Sequence, residues 1–398
     1  MTVEVRPISA ADHLQWIAKQ PWVSFLQIPQ WAALKPGWRH ESLGWFMAGE
    51  LIGAGLVRYR PVPRYPRRSL AYLPEGPCLP WEQLSENTGE LLTPLITHCG
   101  AQGAFLVKIG PGIAQRRWQA DTIKEGLKRA AESPTGDLHR LTDLPADWQS
   151  TSAPAVVEEL RTAGWRSDGS SGRFGDYQPR LVFQVPLRDR TSDDLLAGFN
   201  QQWRRNIRKA EQVGVRISWG GSADLESFHR IYCETAKRDG FTPRGIGYFR
   251  ALWESLGGSV NGGSVNGGPV DGQAVAAARL ACAEVPGTEG GFHLGAAALA
   301  IQVGQRVWYS YGASTTADRD ARPSNAAQWA QMQQAMKLGA DVYDMRGIVD
   351  TVDGRHEQVG LIQFKVGTGG YAQESIGEWD YVIRPMWARA FRTYESRM

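Results

Sequence analysis

Residues 361–370, Leu-Ile-Gln-Phe-Lys-Val-Gly-Thr-Gly-Gly, set a lysine, Lys365, between an apolar stretch and glycines at 367, 369 and 370. The apolar residues predict a strand over 361–365, and the glycines let the following backbone turn or approach a ligand closely. An ammonium at such a strand exit suits a phosphate or a developing negative charge; an exposed lysine closing a strand has the same pattern. Upstream, Arg204 and Arg208 are four apart, as are Arg205 and Lys209, so one helix carries two basic rails beside its apolar stripe. Like charges at that spacing repel by ~0.2–0.5 kcal/mol per pair. Phosphates on a partner would offset the repulsion through forked arginine bonds, and Glu211 or another domain's carboxylates would do the same. A third group, Arg238, Asp239, Arg244 and Tyr248, lies where a turn beyond a helix can gather polar side chains. Asp239 is placed to pair with either arginine, so a ligand site and a structural ion pair both fit.

Other chemistries lack their residues. His229, His293 and His356 have no metal-ligand spacing, and no metal site is expected. There is no Walker loop, no nucleophile elbow and no dinucleotide fingerprint; Val107-Lys-Ile-Gly-Pro-Gly112 reads as a tight strand exit. Cys78, Cys99, Cys233 and Cys282 are scattered without a CxxC pair, which points to buried thiols in a reducing compartment. With 44 basic and 41 acidic residues the net charge is only +3, so any anion-binding surface must be local. No basic region followed by an apolar stretch opens the chain, and no apolar run approaches about 18 residues. A cytoplasmic protein is expected, with room for peripheral contact with a substrate displayed on the inner membrane face.

These groups need elements to hold them. At 398 residues the chain suggests two domains of about 150–200 residues each. A short helix over 31–34 precedes strands over 43–47 and 51–59, and Pro61, Pro63 and Pro66 predict a stiff basic loop with Arg60, Arg64, Arg67 and Arg68. A strand over 70–73, a helix over 91–99 and a strand over 104–109 follow. Residues 112–155 show no clear pattern. A helix over 154–162 and a strand over 180–185 lead to a boundary near 186–190. Thr191 or Ser192 caps a helix whose buried stripe is Leu195, Phe199, Trp203, Ile207 and Ala210, stopped by Gly214. Helices over 224–237 and 248–256 follow, then a twice-repeated Gly-Gly-Ser-Val-Asn within 257–272 that reads as a loop. Strands over 274–283, 295–303 and 306–311, a helix capped by Ser324, a strand over 342–345, a final strand from Tyr381 and a helix over 387–396 complete the chain. The order fits an α+β (mixed α/β) protein with two sheets flanked by helices.

Several stretches together resemble the Fem family of peptidoglycan interpeptide-bridge aminoacyltransferases. They are Phe-Leu-Gln-Ile-Pro-Gln-Trp-Ala-Ala-Leu-Lys at 25–35, Trp-Arg-Arg-Asn-Ile-Arg-Lys-Ala-Glu-Gln-Val-Gly-Val at 203–215, Glu-Thr-Ala-Lys-Arg-Asp-Gly-Phe at 234–241, Trp-Tyr-Ser-Tyr-Gly-Ala-Ser at 308–314, Tyr-Asp-Met-Arg-Gly-Ile at 343–348, and the Phe-Lys glycine segment. The resemblance implies tandem GNAT-like acyltransferase domains, here 1–187 rejoined by 375–398, and 188–374. It implies transfer of an amino acid, glycine, alanine or serine, from aminoacyl-tRNA to the stem-peptide amine of lipid II or UDP-MurNAc-pentapeptide, without a cofactor and without a DNA partner. Sustained heptads are missing, so the form without a coiled-coil arm is implied. Carried over by position, Lys35 and Arg244 hold precursor phosphates, Tyr248 lines the acceptor site, and Lys365 with Phe364 forms the candidate catalytic pair at the aminoacyl-tRNA end. Arg204, Arg205, Arg208 and Lys209 are candidates for further tRNA or precursor phosphate contact.

Attack by an amine on an aminoacyl ester creates an oxyanion and releases a proton. A protonated Lys365 would meet the oxyanion or position the ribose but would be a poor base. Many relatives carry an acidic residue after the strand near 108; Gly110 here cannot take a proton, which favours transfer through substrate or water. A CoA-dependent GNAT N-acyltransferase and a noncatalytic tRNA- or precursor-binding protein are the competing readings.

Overall fold

The computed structural model describes residues 2–83, 85–132, 138–167, 178–257, 269–270 and 273–395. The glycine-rich repeat lies outside the described residues except for Gly257 and a short strand at Pro269–Val270. By contacts the chain forms two units: Met1–Arg117, Ala146–Leu181 and Gln373–Met398 in one, Trp118–Pro145 and Val182–Ala372 in the other.

The first unit is a seven-stranded sheet in the order Val3–Ile8, Arg39–Met47, Glu50–Val62, Tyr65–Leu73, Ala104–Ile109, Trp379–Val382 and Arg166–Ser167. The period-two alternation of its central strands divides the core. Ala71, Leu73, Val107 and Ile109 join Leu92, Leu95 and Cys99 of helix Thr88–Ala101 and Val156 and Leu160 of helix Ala153–Thr162. Leu70, Tyr72, Phe105 and Leu106 join Ala388 and Phe391 of helix Pro385–Glu395. Of the prolines expected to form a loop only Pro63 does, in the two-residue turn with Arg64: the strands run through Pro61 and Pro66, with Pro61 opposite Ser69. The missing N–H is tolerated because the register shifts between Pro61 and Val62.

In the second unit the strands lie in the order Arg216–Gly220, Ala276–Pro286, Phe292–Val303, Arg306–Ser314, Val342–Gly347 and Leu181–Pro186. All neighbours are antiparallel except Arg306–Ser314 and Val342–Gly347. Helices Leu225–Asp239 and Ile246–Leu256 pack on the sheet, as does Pro323–Lys337, whose Ala327 meets Ala296 and Ala298. That last helix begins at Pro323 after Arg322 in the left-handed region, one residue before the expected cap Ser324. Residues 118–145, expected within the first domain, cluster with this unit. Strand Ala114–Gln119 leads to helix Ala120–Glu132, and both the Thr142 N–H and hydroxyl donate to Asp350.

The helix expected from residue 191 is two helices. Thr191 and Asp194 form a capping box on Ser192–Gly198, and Asn200 accepts from the Trp203 N–H to start Gln201–Val213 afresh. Helical spacing of apolar residues persists across the break, which hides it. The break is fixed from the far side: the Asn200 N–H donates to Gly367 O (2.8 Å), and a Cβ on Gly369 would overlap the Gly198 carbonyl. Gly369 also sits at φ +72°. Gly369→Ala is expected to lower stability by roughly 2–3 kcal/mol and Asn200→Ala by about 1 kcal/mol, read from urea unfolding of the full chain.

Candidate active site

A cleft follows from how two parallel strands of the second unit part. Arg306–Ser314 and Val342–Gly347 are in register only from Arg306–Val342 to Trp308–Asp344. Beyond that pair the two strands form no further rung, and Tyr309–Ser314 lines a cleft of about 810 Å³. Its lining includes Arg238, Arg244, Tyr232, Tyr311, Ser314 and Phe364.

The tyrosine wall depends on a bulge. Leu299 faces Tyr311 while Ala300 faces Tyr309, so Ser310 is the extra residue. In an unbroken strand residues 309 and 311 would share a face. Instead Tyr309 packs with Ala296, Ala298 and Ala327, while Tyr311 lies against Tyr232, Tyr248 and Phe249. The Tyr311 and Tyr248 hydroxyls are 2.7 Å apart, and the Arg244 guanidinium is 4.7 Å from the Tyr248 ring centroid. Arg238 donates to Ser314 O (3.0 Å) and to Asp239 (2.9 Å), so it braces the strand end and Asp239 takes its ion pair there rather than with Arg244. Thr235 adds a reciprocal pair of bonds to Ser314.

The opposite wall is Phe364. The segment expected as a strand over 361–365 is helix Val359–Val366, and Lys365 lies in its last turn rather than at a strand exit. A short apolar run does not separate the two states, and tertiary contacts decide. The Trp203 ring lies 4.7 Å from that of Phe364 and its indole N–H donates to Phe364 O (2.7 Å). Gly367 must lack a side chain because its Cβ would overlap Trp203. Lys365 is only 4% exposed and does not line the cleft. Its Nζ donates to Gly347 O (2.6 Å) and Arg346 O (3.3 Å). Those carbonyls are presented by a bend in the neighbouring strand. Asp344, buried, accepts from Gln184 Nε2 (2.9 Å) and the Arg346 N–H (2.7 Å), and Arg346 adopts φ +64°. Burial pushes the Lys365 ammonium down to about 7, the Asp344 charge opposing and Arg346 adding to the shift. Burial thus works against the ammonium form that the sequence suggests for this lysine.

The other expected residues have separate surroundings. Arg204 donates to Ala197 O (3.0 Å) and to Phe199 O, closing the preceding helix, and Arg208 donates to Arg204 O (3.3 Å). Arg205 is exposed and Lys209 half-buried on the same helix. Lys35 belongs to the first unit, exposed after a 3₁₀ turn and 5.9 Å from the Trp38 ring centroid. Tyr311 and Ser314 were missed as site residues; the motif 308–314 named the strand, but only the bulge reveals that Tyr309 and Tyr311, which both line the cleft, pack on different neighbours.

A mixed sheet parted between parallel strands, with arginines and tyrosines on one wall and an aromatic on the other, defines a substrate cleft of an α/β enzyme. The chain belongs to the FemAB family, whose pattern matches residues 8–261 and 277–396, and it is a transferase of that family. It is 24% identical over 431 aligned residues to lipid II:glycine glycyltransferase of Staphylococcus epidermidis, covering 96% of this chain and 93% of the relative. The Staphylococcus aureus protein of the same name is 24% identical over 432 residues, with the same coverage. The crystal structure of FemX superposes with a TM-score of 0.74 at 20% identity, over 97% of this chain and 99% of that one.

The buried lysine has a pH signature. An unfolded chain keeps this proton up to the ordinary lysine range near 10.5, whereas the folded chain releases it near 7. Between those values the unfolded state binds more protons, so this group makes stability rise with pH. Relative to Lys365→Met, the wild type should gain about 2 kcal/mol between pH 7 and pH 9, measured by urea unfolding; parallel profiles would contradict the assignment.

Proposed function

We propose that the protein transfers an amino acid from aminoacyl-tRNA to the stem-peptide amine of lipid II. The observation that carries this reading is that Arg244 and Phe364 line one cleft, so that a guanidinium for the phosphates of one substrate faces an aromatic surface for the terminal nucleoside of the other. Relatives that match nearly end to end bear the name lipid II:glycine glycyltransferase, which favours the lipid-linked acceptor over its UDP-linked precursor. Glycine, alanine and serine are the donors to compare, since the residue specificity of a relative does not transfer at this identity.

The amine nitrogen attacks the ester carbonyl, a C–N bond forms, and the carbonyl electrons move to oxygen. Collapse of this oxyanion breaks the C–O bond to the ribose. The amine proton passes to the departing ribose oxygen through substrate or water. Asp344 is committed to the Gln184 and Arg346 bonds and Asp239 to Arg238, which argues against either as the proton acceptor. Lys365, one residue beyond Phe364, is the group proposed to hold the tRNA end or the developing charge. Reaching either requires its Nζ to leave the Gly347 carbonyl.

Purified protein offered charged tRNAs with lipid II or UDP-MurNAc-pentapeptide should add one residue to the lipid-linked acceptor, read by mass spectrometry. Transfer from acetyl-CoA in place of charged tRNA would overturn the reading. Arg244→Ala should raise the acceptor KM about 10- to 100-fold, the range for a lost hydrogen bond to a charged group, as followed by steady-state kinetics.

A further inference from the structure

The first unit carries a basic and aromatic face that the transfer chemistry does not use. Residues 58–68, Arg-Tyr-Arg-Pro-Val-Pro-Arg-Tyr-Pro-Arg-Arg, contain five arginines and no carboxylate. Residues 383–393, leading into helix Pro385–Glu395, contain three arginines, of which Arg392 pairs with Asp380, and the helix has its one carboxylate at its last residue, Glu395. Aromatic contacts join the two segments. Tyr65 meets Trp387 edge-on with ring centroids 5.0 Å apart, and the Arg60 guanidinium lies 5.2 Å from Phe391 and 5.8 Å from Trp38. Phe391 and Ala388 root the helix on the sheet through Leu70, Phe105 and Leu106. The face is thus held firmly from beneath, yet Met386 is 85% exposed and Tyr65 56% exposed at its outer side.

We propose that this face docks the protein on an anionic phospholipid bilayer. Met386 and Tyr65 enter the headgroup layer, and the exposed Arg64, Arg67, Arg384 and Arg389 meet lipid phosphates. An RNA backbone would use the arginines, but it gives nothing to a thioether held in water. A bilayer interface uses both, and rings beside cations are its usual composition. Among the described residues no helix is long and apolar enough to span a membrane, so the attachment is peripheral. The inference deepens the lipid II reading and rests on it for its purpose. Lys35, which the Fem resemblance gives to precursor phosphates, lies near Trp38, the ring that Arg58 and Arg60 also flank.

The test is co-sedimentation of the full chain with vesicles of phosphatidylcholine alone and of an equal mixture with phosphatidylglycerol, with no lipid II or tRNA added. Binding is expected to the mixed vesicles only. Neutralising two arginines in Arg64→Gln/Arg67→Gln should weaken it about 25-fold, at about fivefold for each, and Met386→Asp should weaken it at least fivefold as well. Transfer to lipid II dispersed in neutral detergent, with no vesicle present, should be unchanged in these variants, which also reports that they fold. The proposal is overturned if the wild type does not distinguish the two vesicles, if the substitutions leave vesicle binding intact, or if they weaken binding of uncharged tRNA instead. Vesicle binding without amino-acid transfer to detergent-dispersed lipid II would retain this face and sink the functional reading; transfer without vesicle binding would do the reverse.

Discussion

A buried carboxylate must accept hydrogen bonds, and in this molecule that requirement at Asp344 shapes the cleft. Asp344 is the last residue of its strand in register with the parallel neighbour. Its oxygens take the Gln184 amide and the Arg346 N–H, so the backbone bends where pairing would otherwise continue. The bend holds Arg346 in the left-handed region and turns two successive carbonyls toward Lys365. Local backbone strain of this kind persists only where surrounding contacts fix it. Here one carboxylate both sits where the parallel pairing stops and supplies the bed of a buried ammonium.

The second constraint is close packing with no room for side chains. Gly367, Gly369 and Gly370 are each backed by another segment: Trp203, the Gly198 carbonyl and the Gln184 carbonyl. Gly369 and Gly370 therefore serve backbone-to-backbone approach, and Gly367 makes room for the Trp203 indole. Through them helix Gln201–Val213 is locked to the segment bearing Phe364 and Lys365. The basic helix and the lysine segment, far apart in sequence, are one structural device in the second unit. This also explains why Arg204 is occupied with the carbonyls of the helix before it.

Much of this was legible in the residues. Thr191 and Gly214 marked helix ends through ordinary capping chemistry, and residues 70–73 and 104–109 read as strands. The family followed from motifs in order along the chain. Other features depended on partners distant in sequence. The run Leu-Ile-Gln-Phe-Lys-Val is apolar enough for a strand and becomes helical where Trp203 meets it. The apolar stripe from Leu195 to Ala210 continues through a break that only Gly367 and Gly369 explain. Prolines at 61 and 66 suggested a loop because a register shift that accommodates them has no local signal. The reach of Tyr311 to Tyr248 was hidden for the same reason.

The extra residue at Ser310 has a consequence for how this cleft can diverge. It sends Tyr309 toward the alanine-lined helix and Tyr311 toward the opposite helical pair, while Gly312 leaves space for the Tyr309 hydroxyl. Losing or gaining one amino acid between 308 and 314 would move both rings out of these surroundings together. Point replacement of either ring can therefore reshape this edge on its own, whereas a change in the length of the segment would reset both rings at once.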